Sequence, residues 1–155
     1  MRNFSEIEMR LKDAEYSLRC AEDNLPLEHY TVVIQNAQLC IELSAKAVIA
    51  FYEEPWWTHD PSEQILRILE EHGEELAEML EVEGLSALAE DAGVAAPWHV
   101  WSVYGKRTED GTRIAAVDAC TKYNGLIKGE VAEDLLERAR RSYKTAMKFF
   151  KGVSP

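Results

Sequence analysis

The 155-residue sequence predicts an all-α fold: one compact helical bundle of about five helices around an up-and-down four-helix core, a single domain over residues 1–155. Three observations carry that expectation. Apolar residues recur at three-and-four spacing through several long segments. Pro26, Pro55 and Pro61 fall between those segments, where a helix has to stop or start. No stretch shows the alternation of a half-buried strand. The length suffices for a core without disulfides or metals.

The first helix is expected from about Glu6 to Asp23, with Ser5 and Glu8 as a capping box and Ile7, Leu11, Ala14, Leu18 and Ala21 on its buried face. Pro26 ends it. The second runs from about Tyr30 to Tyr52 and stops at Glu54-Pro55, because the residue before a proline is pushed out of the helical region. It is apolar on almost every side. Gln35, Gln38, Glu42, Lys46 and Glu53 form one narrow polar stripe, so the helix must be covered from several directions, by its own bundle or by the same helix of a second subunit.

The Thr58-His59-Asp60 turn then opens a third helix, with Asp60, Pro61 and Glu63 as N-cap, N1 and N3 and Ile65, Ile68, Leu69, Leu76, Met79 and Leu80 on its apolar face. Gly73 is expected to bend or split it. Gly84 and Gly93 bracket a short helix over Leu85 to Ala92, and another short helix follows Pro97, with Trp98, Trp101 and Tyr104 facing inward. Thr108 to Gly129 reads as a loop with a turn or two of helix. A final helix carries Val131, Leu135, Ala139, Ser142, Tyr143, Ala146 and Phe150, with Glu130, Glu133 and Asp134 near its start and Lys144, Lys148 and Lys151 near its end, matching the helix dipole.

The net charge of −11 is unevenly spread. Residues 1–59 hold 5 basic and 10 acidic side chains, 60–92 hold 1 and 11, and 93–155 hold 11 and 7. An anionic ligand therefore belongs on the C-terminal third, and the acidic run reads as a solvated helix face. Cys20, Cys40 and Cys120 are odd in number and widely spaced, as small core residues of a protein in a reducing cytoplasm would be. The N-terminal stretch has no apolar run suited to a signal peptide, no segment is expected to reach the length of a span, and the Glu42–Lys46 pair argues against a membrane position for the second helix.

Residue chemistry narrows the function classes. None of His29, His59, His72 and His99 stands in a Glu-x-x-His or HxxxH pattern, so no metal or other cofactor is expected, and only a metal site assembled from separate helices stays open. No serine lies in a nucleophile elbow, and the glycines match neither a Walker loop nor a dinucleotide fingerprint. What remains is Tyr104, Lys106, Arg107 and Asp110 beside Trp98 and Trp101. Basic residues on a turn can grip phosphate while an aromatic ring stacks on a base; the alternative is an ordinary exposed turn.

These pieces, in this order, resemble the HEPN family, the "higher eukaryotes and prokaryotes nucleotide-binding" helical domains. The resemblance rests on AEYSLRCAEDNL, VIQNAQLCIELSAKAVIAF, WWTHDPSEQILRIL, the VYGKR turn and EDLLERARRSYKTAMKFF, leaving Leu85 to Ala96 and Thr112 to Gly129 poorly matched. It implies a dimerising helical bundle, often the partner of a small nucleotidyltransferase in a toxin and antitoxin pair, or a metal-independent RNase using an arginine and a histidine four to six residues later. The corresponding arginine here is Arg107, and the histidine position falls on Thr112, Arg113 or Ile114, so the motif is broken and no catalytic residue is assigned. Arg67 and His72 satisfy the spacing as a string, but in a continuous helix residues five apart diverge by about 140°. His59 matches the family's Thr/Ser-His turn, where it is expected to order the helix entry.

The leading expectation is a non-catalytic, cytoplasmic homodimer that binds a nucleotide or RNA phosphate weakly through Tyr104, Lys106 and Arg107, or that serves a nucleotidyltransferase as its partner. The alternatives are an RNase with a displaced site, using Arg107 or Arg113 with His99, and a purely structural dimerisation module.

Overall fold

The computed structural model describes residues 3–79, 82–122 and 127–154. Its helices are α1 (Phe4–Asn24), α2 (Tyr30–Tyr52), α3 (Ser62–Met79), α4 (Val82–Ala95), α5 (Trp98–Tyr104), α6 (Ala116–Thr121) and α7 (Glu130–Val153). A two-stranded hairpin, β1 (Lys106–Arg107) and β2 (Arg113–Ile114), lies between α5 and α6. The expected all-α bundle is therefore present, with the hairpin as an addition. Leu80, expected on the apolar face of the third helix, and residues 123–126 of the expected Thr108 to Gly129 loop lie outside the described residues.

α2 is the central element and packs against α1, α7, α4, α5, α6 and α3. Val33, Ile34, Ala37, Cys40, Ile41, Ala45, Val48 and Ile49 are buried along it. Small residues make close approach possible: Ala14 and Ala21 of α1 and Ala37 and Ala45 of α2 have no exposed surface. The Cys40 thiol donates to the Ala139 carbonyl of α7 at 3.7 Å, and burial pushes its pKa up to about 12, so it serves as packing rather than as a nucleophile. At 23 residues α2 is in fact long and apolar enough to cross a membrane, contrary to the expectation for the sequence, yet two-thirds of its most apolar window is buried within the bundle. The chain itself supplies the cover that the sequence left to either a bundle or a second subunit.

Helix starts follow local chemistry. α1 begins earlier than the expected capping box because the Asn3 side chain accepts from the Glu6 amide at 3.1 Å, and Phe4 then joins an aromatic cluster with Phe51 and Phe150. Asp60 caps α3 as expected, accepting from the Ser62 amide at 3.0 Å, while the Thr58 hydroxyl accepts from the Asp60 amide at 3.1 Å. α3 kinks at His72, where φ is −117° and ψ 16°, one residue before Gly73. α4 runs past both glycines that were expected to bracket it. In α5, Trp98 is buried and Trp101 half-buried, but Tyr104 is 67% exposed, so only part of the expected inward face exists.

Candidate phosphate groove and a histidine cluster

Tyr104, Lys106 and Arg107 sit where α5 ends and the hairpin begins. Gly105 makes the corner: its φ of 84° lies in the left-handed region, and its amide still closes α5 by donating to the Trp101 carbonyl at 3.1 Å. β1 and β2 then pair antiparallel, Lys106 with Ile114 and Arg107 with Arg113. A third basic residue is thereby placed directly across from Arg107. Arg113 stands at a position where the RNase motif would require histidine.

These side chains surround an open groove of about 530 Å³, lined by Trp101, Tyr104, Lys106, Arg107 and Arg113 among others. The Lys106 ammonium lies 4.7 Å from the Trp101 ring centre, a cation–π contact that holds the charge over the groove floor. Arg113 donates through Nε to the Tyr104 carbonyl at 3.0 Å, and Arg107 to the Gly111 carbonyl at 3.3 Å. Among the described residues lining the groove there is no carboxylate and no histidine. The arrangement can hold an anion and stack a ring; an imidazole for proton transfer is not among its parts.

The polar stripe of α2 leads to a second site that sequence spacing did not reveal. Glu42 is buried and central to it: Gln38 donates to its Oε1 at 3.1 Å, Lys46 to its Oε2 at 3.3 Å, and His59 Nδ1 lies 3.0 Å from Oε1. His59 thus turns from the helix entry toward α2, leaving the capping to Thr58 and Asp60. Its ring stacks on that of His99, with centres 3.5 Å apart and planes inclined by 18°. His99 Nδ1 is 3.4 Å from Gln38 Oε1. Burial, followed by the neighbouring His59, lowers the pKa of His99 from its ordinary value. The only hint in the sequence was that Gln38, Glu42 and Lys46 share one face of an otherwise apolar helix.

This cluster adjoins a cleft of about 360 Å³ lined by Arg10, Lys46, Trp56, Trp57 and His59 among others. Gln64, fully buried, shapes the turn beside it by accepting from the Trp56 amide at 2.9 Å and donating to Glu53 at 3.1 Å and to the Glu54 carbonyl at 3.0 Å. The Arg67–His72 string gains no catalytic geometry from the kink. Arg67 is held by Glu53 and, at 2.8 Å, by Glu71, whereas His72 lies against Tyr52 with ring centres 4.6 Å apart.

Comparison with known proteins agrees with the resemblance noted in the sequence. Searches of curated proteins and of solved structures give no match. A family model described as the HEPN domain matches residues 7–107, from α1 through β1, which is well over half of the chain. The chain belongs to the HEPN domain family.

Proposed function

We propose that this HEPN domain protein is a non-catalytic, cytoplasmic homodimer that binds a nucleotide or nucleic-acid phosphate weakly at the hairpin groove, or serves as the partner of a minimal nucleotidyltransferase, or both. The observation that carries the reading is the convergence of Lys106, Arg107 and Arg113 around a groove floored by Trp101. Phosphate needs charge and donors, and a base needs a flat apolar face; Lys106, Arg107 and Arg113 supply the first and the exposed Tyr104 ring the second, Lys106 lying over the Trp101 face. Each charge-assisted hydrogen bond contributes about 1.5 to 3 kcal/mol, against an association cost of about 4 kcal/mol or more, so a clamp of two or three basic residues gives weak binding. The RNase alternative loses ground because His99, its nearest candidate base, packs toward His59 and Gln38.

Titrating the protein with a nucleoside triphosphate while following backbone NMR shifts tests the reading. Perturbations are expected at Trp101 to Arg107 and at Arg113, with Arg107→Ala weakening the interaction about tenfold, the equivalent of one such hydrogen bond. Perturbations confined to residues 62–79, or none at millimolar ligand, would remove the phosphate-binding reading. Co-purification from the native host, followed by mass spectrometry, tests the nucleotidyltransferase partnership.

A further inference from the structure

Three side chains from three separate elements meet where α2, the turn before α3, and α5 adjoin. Glu42 comes from α2, His59 from the turn and His99 from the first turn of α5. One carboxylate oxygen and one nitrogen from each imidazole all lie within 4.8 Å of one another. We propose that Glu42, His59 and His99 form a binding site for a divalent zinc-class metal ion, with the remaining coordination position open to solvent.

Two imidazoles and one carboxylate are a donor set suited to zinc and its neighbours, and the nitrogen ligands disfavour magnesium and calcium. Ligand atoms bound to one tetrahedral ion at about 2.0 to 2.2 Å sit roughly 3.3 Å apart. The 3.0 Å between His59 Nδ1 and Glu42 Oε1 is close to that spacing. The ligand atoms lie at most 4.8 Å apart, so reaching that spacing takes a shift of about 1.5 Å or less, together with rotation of the His59 ring out of its stack on His99 so that both nitrogen lone pairs face one point. His59 can supply it, since its side chain is 57% exposed and stands on a turn. Gln38 is placed as an outer partner: its Oε1 faces His99 Nδ1 at 3.4 Å and its amide donates to Glu42 at 3.1 Å. A proton held at His99 Nδ1 by Gln38 leaves Nε2 with the lone pair a metal needs.

Cationic neighbours oppose an ion here. The Lys46 ammonium lies 3.3 Å from Glu42 Oε2, on the oxygen that His59 does not use, and Arg10 lines the adjoining cleft. They weaken the site without occupying its nitrogen ligands. This opposition makes the proposal separable from random binding by surface histidines. Removing the Lys46 charge should tighten metal binding, whereas an adventitious site elsewhere would not respond.

The test is titration of the full chain with Co2+, read by visible d–d absorption, followed by displacement with Zn2+. One Co2+ per chain is expected. His59→Ala and His99→Ala should each lower its affinity by at least about tenfold, since loss of even an outer partner costs 10–100-fold. Lys46→Met should raise it, and His29→Ala, on the far side of the turn after α1, should leave it unchanged. His59 is exposed enough that its variant should retain the far-ultraviolet dichroism of the parent, which separates loss of ligand from loss of fold. Absence of a visible band with Co2+ in excess, or binding equally strong in His59→Ala, would overturn the site.

Discussion

Asp91 shows how much one carboxylate can organise. It is fully buried on α4 and receives Arg138 at 2.9 Å and a two-pronged contact from Arg141 at 2.7 and 2.5 Å, tying α4 to α7. Removing one partner of such a group leaves the other charges desolvated without compensation. Arg141 is more than half exposed, so the cost falls below the full buried-pair figure. Asp91→Ala should lower stability by about 2 kcal/mol, a fall in Tm of roughly 4 to 8 °C by thermal denaturation, and an unchanged Tm would show the tie to be inert. Composition hid this role: Asp91 belongs to the acidic run that reads as a solvated face, and its partners stand 47 and 50 residues away. Asp110 carries a second prediction. The Thr108 hydroxyl and then the Thr112 amide, at 3.0 Å, donate to its carboxylate and hold its pKa down at about 2. Because the folded value is depressed, the stabilisation is present above the ordinary 3.8 and is lost as pH falls through about 2. An NMR titration of the Asp110 carboxyl and the Thr112 amide should share a midpoint near that lower value; a midpoint at the ordinary one would mean that the loop is not held this way.

At the scale of elements, the long helices are legible with their limits, the short ones after Gly84 and Pro97 in their existence, and the hairpin not at all, for a physical reason. α1, α2 and α7 each repeat their apolar spacing over five or more turns, and prolines or favourable end charges mark their limits. The β1–β2 hairpin has two residues per strand, too few for any alternation to register. α4 extends past the expected Leu85 to Ala92 because glycine signals a boundary in sequence, yet Gly84 and Gly93 both lie within the helix, where an added Cβ would meet only the Thr145 and Ser62 side chains at ordinary contact distance. Gly105 is different, because the hairpin depends on it. A Cβ there would stand 2.2 Å from the Ile114 carbonyl oxygen, a backbone atom, at a φ of 84° that alanine resists. Gly105→Ala should cost more than about 1 kcal/mol through the backbone strain, with displacement of β2 added to it. Hydrogen exchange should quicken at Lys106 to Ile114 while the helical dichroism is retained. Protection equal to that of the parent would show that the corner does not control the hairpin.

Over the whole molecule, the basic C-terminal third is less available than its charge suggests. Arg138, Arg140 and Arg141 are engaged with Asp91, Asp134, Glu22 and Glu137, whereas no carboxylate stands among the described residues that line the hairpin groove. The candidate groove was legible because its three residues are nearly consecutive, whereas the Glu42–His59–His99 cluster is assembled from distant segments and required the fold. Most of the apolar circumference of α2 is covered within the chain, with Val32 and Leu39 at its exposed edge, and Trp98 is buried; the largest apolar ring in full contact with water is Trp57, 102% exposed, in the turn after α2 beside the partly exposed Trp56. A tryptophan in full contact with water loses the benefit of its large apolar face, and an isologous contact across this turn would recover it in both copies. Light scattering at micromolar concentration should therefore give twice 17.6 kDa. Trp57→Ser should shift the mass toward the monomer with little change in the stability of the fold, because the ring makes no cover for the core. A mass of one chain for the parent protein would end the dimer proposal, and a dimer indifferent to Trp57→Ser would move its interface elsewhere.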